Sequence, residues 1–114
     1  MGVDHYYLRE DPEFLELRRQ FVLEARGNVR EMGTLLAAAG AALPAGDAGL
    51  RFRKLAHDLR GSGGSYGFPI VSLYGGESED SYLEGGRPEV LRAIVAMLGQ
   101  SILQAGTLVG VADA

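Results

Sequence analysis

The chain has 114 residues, 46% of them hydrophobic and 23% charged, with no cysteine and a formal charge of −4. That length and composition describe one ordinary globular domain and exclude a disordered segment. Without cysteine there is no disulfide and no thiolate metal site, which fits a reducing cytoplasm, and the net acidity argues against binding bulk nucleic acid. No apolar run reaches the roughly 18 residues that a bilayer span needs. Met1-Gly2-Val3-Asp4-His5 carries no basic stretch followed by an apolar one, so no secretory signal is expected. His5 reads as a surface residue.

The first helix is expected to open at Asp11-Pro12. Asp11 suits the N-cap, and Pro12 suits the first helical position, where its missing N–H would be unpaired anyway. Apolar residues then recur at Phe14, Leu17, Phe21, Ala25, Met32 and Leu35, with Asn28 in the same series, beside a second row of Leu15, Val22, Val29 and Leu36. This is an amphipathic stripe of helical period. Gly40 and Pro44-Ala45-Gly46 end it. Asp47 is the expected N-cap of a second helix running through Leu50, Phe52, Leu55 and Leu59 towards Tyr66. Gly67-Phe68-Pro69 breaks that helix, and Pro69 opens a third, carrying Ile70, Leu73 and Tyr74. The Gly75-Gly76 pair is expected to interrupt it, since each glycine costs about 1 kcal/mol relative to alanine in a helix. Gly85-Gly86 is a turn, and Pro88 opens a fourth helix striped by Leu91, Ile94, Val95, Leu98, Ile102, Ala105 and Leu108. The tail, 111–114, is expected to fray. No segment alternates as a strand does. The expected fold is all-α, an antiparallel up-down four-helix bundle formed by residues 1–114 as one domain.

The chemistry is densest in Leu55-Ala56-His57-Asp58-Leu59-Arg60-Gly61-Ser62-Gly63-Gly64-Ser65-Tyr66-Gly67-Phe68. At about 100° per residue, Leu55, Leu59, Ser62 and Tyr66 fall within roughly 40° of the side opposite His57, and Phe52 lies near them. Arg53, Arg60, Gly61 and Gly64 fall within about 60° of His57 itself. The imidazole is therefore expected on an exposed face, among cations and residues without side chains. Near neutral pH it is a good nucleophile. Arg60, one turn on, can donate charge-assisted hydrogen bonds to phosphoryl oxygens. Gly61 and Gly64 let another backbone approach closely. The glycine run lacks the G-x-x-x-x-G-K-[S/T] arrangement of a nucleotide-binding loop, and two distant histidines without cysteine do not suggest a zinc site.

The string resembles the motif of the histidine-phosphotransfer family, H-x-x-K-G followed by small residues and a Gly-Ala or Gly-Phe ending. Here it reads His57-Asp58-Leu59-Arg60-Gly61, then Ser62-Gly63-Gly64-Ser65, then Gly67-Phe68, with Arg60 where lysine is usual. The Gly-Phe ending is similar to that of the phosphotransfer domains of chemotaxis histidine kinases. The resemblance implies a phosphorelay carrier. His57 would accept a phosphoryl group from the aspartyl-phosphate of a receiver domain, or from a histidine kinase, and pass it to the aspartate of another response regulator. It implies that Arg60 steadies the phosphoryl oxygens and that a third-helix glutamate orients the imidazole, with Glu79 the nearest positional match. Arg53, Lys54, Gly61 and Gly64 would form the docking surface. This chain would bind no metal or cofactor, Mg²⁺ belonging to the receiver partner. A cytoplasmic monomer, with no nucleic-acid or membrane partner, is expected, either free-standing or as part of a larger kinase. The alternative is a docking module of the same fold that binds receivers or kinases without carrying phosphate.

Overall fold

The computed structural model describes residues 11–112. Within them lie four helices: α1 (Pro12–Ala39), α2 (Gly46–Ser62), α3 (Pro69–Leu83) and α4 (Pro88–Val109), with a single 3-10 turn, Gly64–Tyr66, between α2 and α3. His5, the N-terminal residues inspected for a signal, and the last two residues of the tail lie outside the described range.

The helix boundaries follow local chemistry. The Asp11 carboxylate accepts from the backbone N–H of Glu13 at 2.8 Å and of Phe14 at 3.4 Å, capping α1 as expected. The cap of α2 differs from expectation. The helix begins at Gly46 behind Ala45, which offers no side-chain bond, and Asp47 sits inside the first turn. There its carboxylate still faces the positive end of the helix dipole. The α-helical part of α2 stops at Ser62 instead of reaching Tyr66. The chain tightens into the 3-10 turn and reverses at Gly67, whose φ of 85° lies in the left-handed region. Pro69 and Pro88 occupy the first positions of α3 and α4.

Each helix packs on its neighbours in sequence, and α4 closes the ring against α1. Bonds between opposite helix ends fix the antiparallel sense. Arg19 Nε, early in α1, donates to the Val109 carbonyl at the end of α4 at 2.8 Å, and Arg92, early in α4, donates to the Gly40 carbonyl after α1. Tyr82 Oη, late in α3, donates to the Pro44 carbonyl before α2 at 2.7 Å. The core is one cluster that includes Phe21, Val22, Met32 and Leu36 of α1, Phe52, Leu55 and Leu59 of α2, and Leu91, Leu98 and Ile102 of α4.

Several stripe residues fall outside that core. Leu17, Leu50, Ile70, Leu73 and Leu108 are exposed. In α4 the inward position belongs to Val109, one residue along from Leu108. In α3 the buried side consists of Val71, Gly75, Gly76, Ser78 and Glu79. The physical reason is proximity, because α3 lies too close to α2 for large side chains. A Cβ at Gly75 would sit 2.8 Å from the Arg60 backbone nitrogen and 3.1 Å from the Leu59 carbonyl carbon. The Gly75-Gly76 pair therefore does not interrupt α3, which is continuous across it. Val111 is not frayed either: its N–H donates to the Gly106 carbonyl at 2.8 Å, and its side chain packs on the core. Helix α4, with 22 residues and an 18-residue stretch of mean hydropathy 1.2, is long and apolar enough to cross a membrane by length and composition alone. That corrects the expectation that no segment approaches such a span, although Leu91, Val95, Leu98 and Ile102 supply one wall of the bundle core.

Candidate functional site

Helix α2 buries Phe52, Leu55, Ala56 and Leu59, which leaves His57 on its outer flank with 68% of its side chain exposed. Helix α3 brings the partner. Gly75 and Glu79 are one turn apart and so share a face. Because Gly75 sits against the α2 backbone, Glu79 is turned towards α2 as well. Its carboxylate is 7% exposed and lies 3.0 Å (Oε2) and 3.2 Å (Oε1) from His57 Nδ1. The positional match between Glu79 and an imidazole-facing acid thus becomes a contact.

This contact decides how the ring carries its proton. An ionised carboxylate can only accept, so Nδ1 is the donor and Nε2 of the neutral ring keeps its lone pair. The result is a nucleophilic nitrogen on an exposed ring, with the ring's other nitrogen anchored on a buried anion.

Cations surround the anion. Arg60 Nη1 donates to Glu79 Oε1 at 3.3 Å and to Asp80 Oδ1 at 2.9 Å, and Arg53 Nε lies 3.8 Å from Glu79 Oε2. The hydrogen bond to Asp80, followed by that residue's charge and by Glu79, raises the Arg60 guanidinium above its ordinary value. Lys54 is placed differently. It pairs with Asp58 one turn along α2, at 3.1 Å. Leu50, Arg53, Lys54, His57, Asp58 and Glu79 line a shallow depression of about 310 Å³ around the imidazole.

The glycines after Arg60 separate into two kinds. Gly61 and Gly64 are exposed, and a Cβ at either would meet nothing within 4 Å. Gly63 is buried, and a Cβ there would lie 2.6 Å from the Ser72 backbone nitrogen and 3.1 Å from the Phe68 carbonyl oxygen. Gly63 is thus required by packing, whereas nothing in the fold requires Gly61 or Gly64. Gly64 borders a second depression, with Arg60, Ser72 and Asp80.

Three participants escaped the sequence reading. Asp80 has its signal in its place next to Glu79, within reach of an α2 cation. Ser72 caps the seam by donating from Oγ to the Arg60 carbonyl. Arg18, nearly buried in α1, donates from Nε to the Tyr66 carbonyl at 2.8 Å, and its guanidinium stacks over the Phe68 ring at 4.6 Å. That ring also stacks on Phe21, with centroids 5.9 Å apart. The Gly67-Phe68 ending of the motif is in this way tied to α1. No protein-family model, no curated protein and no solved structure matches the chain.

Proposed function

We propose that the protein is a phosphorelay carrier in which His57 is the phosphoacceptor. The observation that carries this reading is the exposed imidazole held through Nδ1 on the buried Glu79 carboxylate at 3.0 Å. Nε2 attacks the phosphorus of a receiver's aspartyl-phosphate. The Nε2–P bond forms as the acyl O–P bond breaks, and the aspartate leaves as a carboxylate with its electron pair. Nδ1 keeps its proton, so the ring becomes cationic, and Glu79 stabilises that charge. The reverse step, onto the aspartate of a second receiver, regenerates the neutral ring. Such in-line transfer depends on positioning and charge stabilisation, which Mg²⁺ on the receiver and Arg60 on this chain would supply. The open surface at Gly61 and Gly64 and the cations Arg53 and Lys54 suit close approach by an acidic receiver face. The partners on this reading are response-regulator receivers and a histidine kinase in the cytoplasm.

The test is incubation with a phosphorylated receiver, followed by a search for acid-labile, base-stable label. The wild type is expected to take label and His57→Gln none. Glu79→Gln is expected to slow labelling about 10- to 100-fold, the worth of one charge-assisted hydrogen bond. Equal labelling of His57→Gln would refute the assignment. Receiver binding that persists in His57→Ala, with no label in the wild type, would identify a docking module instead.

A further inference from the structure

Arg60 is already tied to α3 in the resting protein, through one nitrogen, Nη1. Its side chain crosses Gly76, where a Cβ would meet Nε at 3.2 Å and Cγ and Cδ at 3.4 Å. Its Nη1 is shared between two successive residues of α3, Glu79 at 3.3 Å and Asp80 at 2.9 Å. The shorter bond goes to Asp80, which is the closer of the two holds on the guanidinium.

We infer that Asp80 is a positioning residue that competes with the phosphoryl group for Arg60 and so keeps the group on His57 readily transferable. The inference rests on the carrier reading of His57. A phosphoryl group on Nε2 brings about two negative charges and three acceptor oxygens to the same exposed patch. Arg60 lies one turn along α2 from His57, as Arg53 does on the other side, and its guanidinium is one of the cations placed to answer that charge. Both ties run through Nη1 and hold the guanidinium on α3, so turning it towards the phosphoryl group loosens them, and the two partners are not equivalent. Glu79 is 7% exposed and also holds Nδ1 of His57, so releasing it would leave a buried carboxylate short of donors. Asp80 is 54% exposed, and its freed carboxylate returns to water at little cost. Asp80 is therefore the partner that yields. No proton moves in the exchange. An Arg60 N–H leaves Asp80 Oδ1 and donates to a phosphoryl oxygen, while the Nε2–P bond forms and the aspartyl O–P bond breaks. The strength of the Arg60–Asp80 pair is thereby subtracted from the stability of the phosphohistidine.

The test is the equilibrium partition of phosphoryl between this protein and a receiver domain that has been charged with acetyl phosphate and then freed of it. Wild type, Asp80→Asn, Asp80→Glu, Arg60→Gln and the Asp80→Asn/Arg60→Gln double variant are compared, each checked for a native melt. Asp80→Asn is expected to shift the partition towards His57 about two- to fivefold, the scale of one exposed ion pair. Asp80→Glu should stay near wild type, and Arg60→Gln should shift the partition away from His57. In the double variant the Asp80→Asn shift should disappear, because its route is through Arg60. A labelled wild type with no shift in Asp80→Asn overturns the inference and leaves the carrier reading intact. So does a shift that survives in the Arg60→Gln background, which would reduce Asp80 to a diffuse charge effect. A wild type that no receiver labels overturns both.

Discussion

The α1–α4 and α2–α3 seams are built in opposite ways. Where α1 meets α4, the buried residues are mostly large and aliphatic: Val22, Met32 and Leu36 on one side, Leu91, Val95, Leu98 and Ile102 on the other. Side chains fill the space between the backbones. Where α2 meets α3, the Phe52 and Tyr82 rings pack with centroids 5.3 Å apart at one end, but at the other the side chains have largely been removed. Gly63 and Gly75 let one backbone rest on the other, with Ser72 bonded to the Arg60 carbonyl. The first arrangement maximises apolar burial, which carries most of a fold's stability. The second gives up that burial and gains position. A carboxylate on α3 can only meet an imidazole on α2 at 3.0 Å if the two helices are held at short range. The comparison teaches that stability and site geometry are assigned to different walls of one small bundle.

Substitutions on each wall should then separate the two properties. The largest effect is expected from Leu98→Ala, at a fully buried position in α4. Removing that side chain should cost about 2–5 kcal/mol in urea unfolding, while the labelling rate of His57 per folded molecule stays at the wild-type value. A labelling rate that falls with stability would break the distinction. Gly75→Ala comes next. The added methyl faces α2 backbone that cannot swing aside, so the helices must part, at a cost of about 1–3 kcal/mol. Unlike Leu98→Ala, it should slow His57 labelling even where the protein is fully folded. Gly99→Ala is the control, since a Cβ there meets nothing within 4 Å. It should leave labelling unchanged and leave stability equal or slightly improved.

The smallest effect concerns the α1–α2 contact, which belongs to neither class. Arg51 grips Glu31 through both carboxylate oxygens, at 2.6 and 2.8 Å. That hydrogen bond holds the Glu31 carboxyl below its ordinary value of 4.5. A group depressed in the folded state adds stability above its unfolded value and loses it as pH falls through the folded one. Wild type should therefore melt about 1–4 °C above Glu31→Gln at neutral pH, and the gap should close as the pH drops below 4.5. A gap that persists in acid would show that the pair contributes nothing through charge.

The sequence carried some of this plainly and hid the rest for identifiable reasons. Asp11, Pro12, Pro69 and Pro88 act through their own backbone chemistry, so helix starts could be read locally, and the absence of strand alternation left a bundle as the fold. Asp47 failed as a cap because a carboxylate within the first turn meets the same dipole as one at the helix edge. The Gly75-Gly76 pair was misread because helix propensity measures a glycine's local cost, and its compensation here is a backbone on another helix. The same blindness hid which face of α3 is buried, since Ile70 and Leu73 are exposed. With α3 pressed against α2, small residues are the buried ones and the large ones must face out. His57 was legible as an exposed ring from the spacing of Leu55 and Leu59. The register of Glu79 was not, although Gly75 and Glu79 lie four apart and would have shown it had the glycine been taken as a contact. Arg18 carried no usable signal, since its place under Tyr66 and Phe68 depends on the turn at Gly67.

The buried glycines of the α2–α3 seam also shape how this sequence can change over generations. Glycine is the only residue without a Cβ, so every mutation at Gly63 or Gly75 drives an atom to within 3 Å of neighbouring backbone. Those two positions have no neutral alternatives, and drift cannot pass through them. Gly61 and Gly64, a few ångströms of chain away, border open space and accept nearly any replacement. Mutation can thus rewrite the rim around the imidazole one residue at a time while the seat beneath it stays fixed. On the carrier reading proposed above, a lineage with this bundle would be free to exchange partners without rebuilding its chemistry.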